Sequence, residues 1–449
     1  MKKRSTAWIL MIAGAFAGCG GGQQNASPGN GSGSGPVTPP VVTPVIHTEF
    51  AHMDVSAADQ ACLQLKDADT WTTKLAYLSG VGTVTNLTQL FSDLDNSVVQ
   101  LTSTTRPSAV GYLDGIRWSD TDMATNAWIP QGVAFGVNGG APYAVASWHF
   151  NNDYYGYNDG SRVSIVDMSN PATAKYRNVI LVDPTGTGTY QSVNIHVGGV
   201  AIAGNYLYVA DTSNGFRVFD MSQMRKITGD DVLCKNSNDS GYFGQKSGAW
   251  CAAGYGYMLP QVSAYTMPST KSDGTAITST CKPKFSFAGL DARPATPQIL
   301  SGEYCNNTDQ TCEGDTTGLN GRLYQWPLGA HNKLITSSLY VSPTRVYFMN
   351  VRNIQGVAPV TRPGNETDSY YLGATRYNGA VFKSTPTAAT KTWSYSSSQV
   401  PWHVEGLHAT ADGRLWILTE GQQVTSATQN PDPKTGGRVL IQVDQSSLY

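Results

Sequence analysis

The chain has 449 residues, with 30 Lys and Arg against 32 Asp and Glu, a formal net charge of −2 and only 14% charged residues. That balance leaves no basic footprint for tracking phosphates, so a nucleic-acid partner is excluded. With 47 glycines, 23 tyrosines and 10 tryptophans, the composition is that of a turn-rich all-β protein rather than a helical bundle.

The first residues read as an address. Lys2, Lys3 and Arg4 precede an apolar run over residues 7–17, and Phe16-Ala17-Gly18-Cys19 resembles the lipobox at which bacterial lipoproteins are cleaved and acylated. A transmembrane helix needs about 20 apolar residues, more than this run supplies. Residues 1–18 are therefore expected to be a lipoprotein signal peptide and Cys19 the lipidated (palmitate-type) terminus. Residues 19–46, rich in Gly, Ser, Asn and then Pro, Val, Thr, are expected to form a disordered linker. The partner implied is a membrane, reached through the lipid, and the location is the cell envelope. Gly20 after the cysteine favours the outer membrane in a Gram-negative cell.

Residues 47–107 read as helix and coil, with helices expected from Ser56 and between Asn86 and Leu101. From residue 108 to 449 the pattern is β. A short apolar strand opening on glycine recurs as PQGVAF, VGGVAI, FAGLDA, IQGVAP and VEGLHA, around Gly132, Gly199, Gly289, Gly356 and Gly406. A second strand follows each opening (PYAVASW, NYLYVAD, PQILSGE, SYYLGAT, RLWILTE). Third strands (RVSIVDM, FRVFDM, GRLYQWPL, GAVFKS, GRVLIQVD) and fourth strands (YRNVILVD, MLPQVSAYT, SLYVSP, TWSYSS) complete most units. Repeated four-stranded antiparallel units predict a β-propeller of five blades, or six if a degenerate blade lies in residues 108–128. The last unit lacks a fourth strand, and residues 108–119 are expected to supply it. Residues 222–256 read as an insertion in the second blade.

Apart from Cys19, the six cysteines suit disulfides in an exported chain. Cys305 with Cys312 and Cys234 with Cys251 are the local pairs, which leaves Cys62 with Cys281.

The stretches KYRNVILVDP, HVGGVAIAGNYLYVADTSNGFRVFDMSQM, GYMLPQVSAYTM, ILSGEYC, GRLYQWPL and LWILTE resemble a family of bacterial secreted β-propeller-like proteins with no assigned activity. The resemblance spans roughly residues 115–443. It implies the fold and export, and supplies no catalytic residue.

In a propeller the start of each first strand and the end of each second strand share one face. Glu405, Glu420, Asp211 and Glu303 fall there, as candidate catalytic carboxylates for glycoside cleavage. Gln131, Trp148, His149, His196, Gln355, Arg376 and His403 join them as candidate ligand-binding groups, with Trp148 as a sugar platform. Glu405 is also the candidate ligand of a divalent metal, the one cofactor considered. No GxSxG, Walker, HExxH or EF-hand motif is present. The expected function is a membrane-tethered propeller binding a glycan or other extracellular molecule at the channel mouth. The alternative is a carboxylate- or metal-dependent hydrolase, glycosidase- or lactonase-like, using the same mouth.

Overall fold

The computed structural model describes residues 45–448 apart from 152–157, 236–240, 279–280, 306–320, 350, 363–367, 376–378 and 388–391, and 422–436. Residues 43–449 form one compact unit. Among the described residues, five four-stranded antiparallel units carry the fold. The first blade is Trp128–Asn138, Ala141–Phe150, Ser161–Asp167 and Lys175–Gly186. The second is Val197–Ala203, Tyr206–Asp211, Gly215–Asp220 and Tyr257–Thr266. The third runs Phe287–Asp291, Gln298–Gly302, Arg322–Pro327, Arg345–Met349. The fourth runs Ile354–Pro359, Tyr370–Ala374, Ala380–Thr387, Thr392–Gln399. The fifth pairs Val404–Ala409, Arg414–Thr419 and Val439–Asp444 with Tyr112–Arg117, which lies far upstream in the chain. The expected closing strand is thus in place, and the rest of residues 108–128 holds a one-turn helix, Asp120–Ala124, rather than another sheet.

The recurring glycines mark where the inner strands meet. A Cβ on Gly132 would lie 2.6 Å from the Cα of Gly199, and one on Gly199 would lie 2.5 Å from the nitrogen of Ala288. Continuing round, Gly289 would meet the Val357 carbonyl at 2.6 Å, Gly356 the Leu407 nitrogen at 3.0 Å, and Gly406 the Val133 nitrogen at 2.7 Å. The contacts return to their starting strand, so backbone packed on backbone constricts the channel at one level. Only a residue without Cβ fits there.

Between neighbouring blades lie five apolar clusters, one to each seam. In the second blade Val209 faces the first blade while Tyr208 faces the third, the alternation that a strand buried on both faces requires. The inner strand VGGVAIA is buried at every position. Fully burying one such aliphatic or aromatic side chain contributes roughly 1.5–3 kcal/mol, so the seams dominate the stability.

Three sequence readings are corrected. Residues 45–54, expected as linker and coil, form the strand Val45–Asp54, which pairs with the outer strands of the third and fourth blades. The helix expected from Ser56 through Lys66 shrinks to Ala57–Gln60 and the one expected between Asn86 and Leu101 to Leu87–Phe91, N-capped by Asn86 with Gln89 completing a capping box, and a further turn, Thr73–Tyr77, was not expected. The third blade's outer strand is Arg345–Met349 rather than SLYVSP, of which only Tyr340–Val341 is strand and pairs with Leu65–Asp67. Two cysteine pairings stand as expected, Cys62–Cys281 and Cys234–Cys251, the second inside the 222–256 insertion. Cys305 is disulfide-bonded, and Cys312 lies outside the described residues.

Candidate functional site

The face that carries the starts of the inner strands, here the upper mouth, is richly charged, but most of its charges are consumed by the fold. Glu303 is buried and accepts Arg322 Nε (2.9 Å) and Nη2 (2.7 Å), the Tyr324 hydroxyl (2.8 Å) and the backbone nitrogens of Arg322 and Lys284. Its lone pairs are filled, so it has no capacity for catalysis. Asp211, also buried, pairs with Arg217 at 3.0 Å rather than capping its own turn. Both candidate carboxylates are therefore structural in this arrangement.

A third pair sits where the ring closes. Asp122, in the helix between the fifth and first blades, binds Arg162 Nη2 at 2.5 Å, the Tyr176 hydroxyl at 2.5 Å and Asn178 Nδ2 at 3.1 Å. Burial alone would raise the Asp122 pKa, but Arg162, Tyr176 and Asn178 outweigh it and hold the carboxyl below its usual range. The guanidinium of Arg162 lies over the rings of Trp128 and Trp148, at 4.7 and 5.0 Å. Arg438 donates Nη1 to the carbonyls of Asp122 (2.9 Å) and Thr125 (2.8 Å) and Nε to the carbonyl of Glu420 (3.1 Å). These arginines share a signal in the sequence that the initial reading passed over. Arg162, Arg217, Arg322 and Arg438 stand at or near the openings of the third strands of four blades, and a third strand starts on the same face as the first.

Trp148 is not a sugar platform. It is fully buried, packs edge-on against Trp118 at 5.2 Å and donates Nε1–H to Ser164 Oγ at 2.9 Å. Gln131 is likewise buried, its amide turned back on the Pro130 carbonyl at 3.0 Å. Arg376 lies outside the described residues. Among the described residues no cluster of three His, Cys, Asp or Glu side chains has the geometry to hold a metal.

Five of the expected groups remain together with Glu405. The residue is 1% exposed, one position ahead of the glycine constriction, and neither carboxyl oxygen makes a hydrogen bond of good geometry among the described residues, with Glu420 and Gln355 the polar side chains beside it. Burial first, and the nearby Glu420 second, push its pKa well above the usual carboxylate range, while Gln355 opposes the rise. Glu420 and Gln355 are half-buried at this mouth. His149 and His196 lie with ring centroids 4.3 Å apart. Dehydration, then His196 and Arg438, lower the His149 pKa to about 3, and its Nδ1 has no partner among the described residues. His196 keeps solvent-exposed surface, yet partial dehydration in the mouth lowers its pKa as well. His403 holds a left-handed φ of 57°, with its carbonyl accepting the Glu420 nitrogen at 2.9 Å. That turn presents Trp402, 48% exposed, which the sequence reading missed although it stands three residues ahead of Glu405. Asn353, buried with an unpartnered Oδ1, opens the fourth blade beside Gln355 and was also missed.

The groups left over by the fold are thus a buried carboxyl whose pKa is raised, the half-buried Glu420, two imidazoles whose pKa values are lowered and two side-chain amides, with one exposed indole. They suit a hydrogen-bonding ligand.

Residues 196–224 match the LVIVD repeat family, over the segment that forms the first three strands of the second blade. No curated protein matches the chain. Among solved structures, a thermostable family-43 glycoside hydrolase aligns at 11% identity with a TM-score of 0.34, covering 70% of this chain and 88% of its own. A putative 6-phosphogluconolactonase from Bacteroides uniformis aligns at 10% identity and a TM-score of 0.32, covering 77% and 99%. A family-43 enzyme from Xanthomonas citri complexed with xylose aligns at 11% and 0.32, covering 72% and 88%. At such identities no residue role transfers from them. The propeller assignment stands on the strand pairing and the closed ring of glycines.

Proposed function

We propose that this chain is the body of an exported, lipid-anchored propeller that binds a neutral, hydroxyl-rich ligand, a glycan, at its upper mouth. The observation that carries the reading is Glu405, a buried carboxyl at the mouth whose two oxygens make no well-formed hydrogen bond among the described residues. Leaving such a group unpaired costs about 1–3 kcal/mol, which a ligand hydroxyl relieves. Trp402 supports it with an exposed ring at the rim, the kind of surface on which a sugar stacks.

A glycan-binding screen followed by calorimetry tests this. Glu405→Gln and Trp402→Ala are each expected to weaken binding about tenfold or more, the equivalent of roughly 1.4 kcal/mol. Unchanged affinity in both variants would remove the site from this mouth. Glu405→Gln has a second readout. Below the unfolded-state pKa the acid is protonated in both states and does not affect stability. As pH rises through the window between the unfolded pKa and the raised folded pKa, only the unfolded chain ionises, so the wild type loses stability. Glu405→Gln is expected to match the wild type near pH 4 and to melt higher at pH 7, and a difference that does not grow with pH refutes the raised pKa.

Hydrolysis is the second reading, supported by the raised pKa of Glu405 beside the Glu420 carboxyl, the direction that a general acid in glycoside cleavage requires. Release of reducing sugar, lost in both Glu405→Gln and Glu420→Gln, distinguishes it from binding alone.

The anchoring part of the proposal rests on Cys19 and the basic-apolar stretch before it. No helix among the described residues is long and apolar enough to cross a membrane. Cys19→Ala is expected to move the protein from the membrane to the soluble fraction or to trap the precursor. Unchanged membrane association of that variant refutes lipid anchoring.

A further inference from the structure

A cavity of about 210 Å³ lies in the seam between the first and second blades, lined by residues outside the inner strands of the channel. Its origin is a parting of strands. The outer strands of the two blades, Lys175–Gly186 and Tyr257–Thr266, pair in parallel from Ile180 with Met258 to Val182 with Pro260. Pro260 has no N–H to extend that ladder, and the strand then pairs within its own blade, Gln261 opposite Phe219. Asp183 stands instead opposite Gln191 of the hairpin strand Thr189–Ser192. The two outer strands diverge here, and the cavity occupies the fork.

Its lining is polar and electrically balanced. Gln261 is 2% exposed, and its buried Oε1 has no hydrogen-bond partner among the described residues. Arg217, half-buried on one wall, gives Nε and Nη2 to the Asp211 carboxylate at 3.0 Å each. Asp183, half-buried on the opposite strand, is paired with Lys74. Each charge is compensated by its own partner, so the cavity favours neither an anion nor a cation. Gln191 and Asn194 are exposed at the rim, where Asn194 Oδ1 accepts the Ser192 hydroxyl at 2.7 Å. Val193 and Ile195 add apolar surface.

Asp183, Gln191, Asn194, Arg217 and Gln261 thus bring donors and acceptors to the cavity from as many separate segments of the chain. A ligand with a single donor–acceptor edge, such as an amide, would satisfy Gln261 and leave the walls and rim to water. A ring with hydroxyls around its perimeter meets them together, because every hydroxyl both donates and accepts. The volume is below the roughly 300–1,000 Å³ of sites that take drug-sized ligands, which limits the occupant to one small ring.

We propose that this seam cavity is a binding site for one neutral monosaccharide, with a ring hydroxyl donating to Gln261 Oε1 and others meeting Arg217, Asn194 and Gln191. The cavity shares no lining residue with the mouth around Glu405, and the site does not depend on the reading of that mouth.

Calorimetric titration of the full-length protein, and of its Glu405→Gln, Trp402→Ala double variant, with D-glucose, D-galactose, D-mannose and D-xylose tests the proposal. Saturable binding of at least one sugar is expected in both proteins, with propionamide at least about tenfold weaker and D-glucuronate no tighter than that sugar. Introduced into the double variant, Gln261→Leu should weaken binding at least about tenfold. Asn194→Trp, at an exposed position that leaves the core untouched, should block the entrance and abolish it. Absence of saturable binding by all four sugars, or propionamide binding as tight as the best of them, overturns the ligand class. D-glucuronate binding about tenfold more tightly overturns the charge balance. Retention of sugar binding in both Gln261→Leu and Asn194→Trp overturns the location, and so does its loss in the Glu405→Gln, Trp402→Ala variant, which would assign the sugar to the mouth.

Discussion

Gly199→Val is expected to be among the most destabilising single substitutions in this protein. The added Cβ would stand 2.5 Å from the nitrogen of Ala288 and 3.1 Å from the Cα and carbonyl carbon of Phe287, all backbone atoms of the neighbouring inner strand. No rotamer change relieves a clash with backbone, and shifting that strand disturbs its own contact with Val357. Overpacking in a core costs typically about 1–3 kcal/mol, occasionally more, and here both sides of the contact are rigid. A loss of at least about 3 kcal/mol by denaturant titration is expected, with Gly199→Ala giving a smaller loss in the same direction. Gly256→Ala is the control, because its Cβ would meet only the tip of the Arg177 side chain at 3.0 Å. If Gly199→Ala lies within about 0.5 kcal/mol of wild type, the constriction is not the rigid contact described.

That contact also explains why the propeller was legible in the sequence. Backbone approach of this kind accepts one residue type, so the geometry is written as residue identity at Gly132, Gly199, Gly289, Gly356 and Gly406. The closing strand was legible because the fifth unit was one strand short. Val45–Asp54 was not, since its partners, Arg345–Met349 and Thr392–Gln399, are some 300 residues away and its sequence adjoins a Pro/Val-rich stretch with no turn signal. Arg345–Met349 was missed because RVYFM and SLYVSP are equally strand-like, and only pairing with Arg322–Pro327 decides between them. At the upper mouth, strand polarity placed the carboxylates on the right face but not their state of charge. Glu303 and Glu405 are both buried acids at this mouth, yet an arginine opening the next strand neutralises Glu303 whereas Glu405 has no such partner. Partnership across strands distinguishes a structural acid from a candidate site, and it is absent from the pattern along one strand.

Arg162→Met is the second substitution expected to have a large effect, because it breaks the clasp at the seam where the ring closes. Arg162 belongs to the third strand of the first blade and Asp122 to the helix that follows the closing strand of the fifth, so their pair ties first blade to last. Both are almost fully buried. Methionine keeps part of the packing against Trp128 and Trp148 but leaves Asp122 with only Tyr176 and Asn178 as donors. Removing one partner of a buried pair costs about 3–5 kcal/mol, mainly by stranding the other charge. The pH dependence has a definite sign. In the wild type the Asp122 pKa is depressed, so its contribution is present above the unfolded-state pKa and is lost as pH falls toward the folded value. In Arg162→Met the pKa should rise, and the deficit relative to wild type should shrink as the medium is acidified and Asp122 takes up a proton. Asp122→Leu combined with Arg162→Met should recover a substantial part of the loss at pH 7, because a well-packed apolar pair can replace a buried ion pair at little or no net cost. Thermal melts of the wild type and the two variants across pH 4 to 7 decide the matter. A deficit in Arg162→Met below about 1 kcal/mol at pH 7, or one that grows on acidification, would mean that the closing seam is held by its apolar cluster alone.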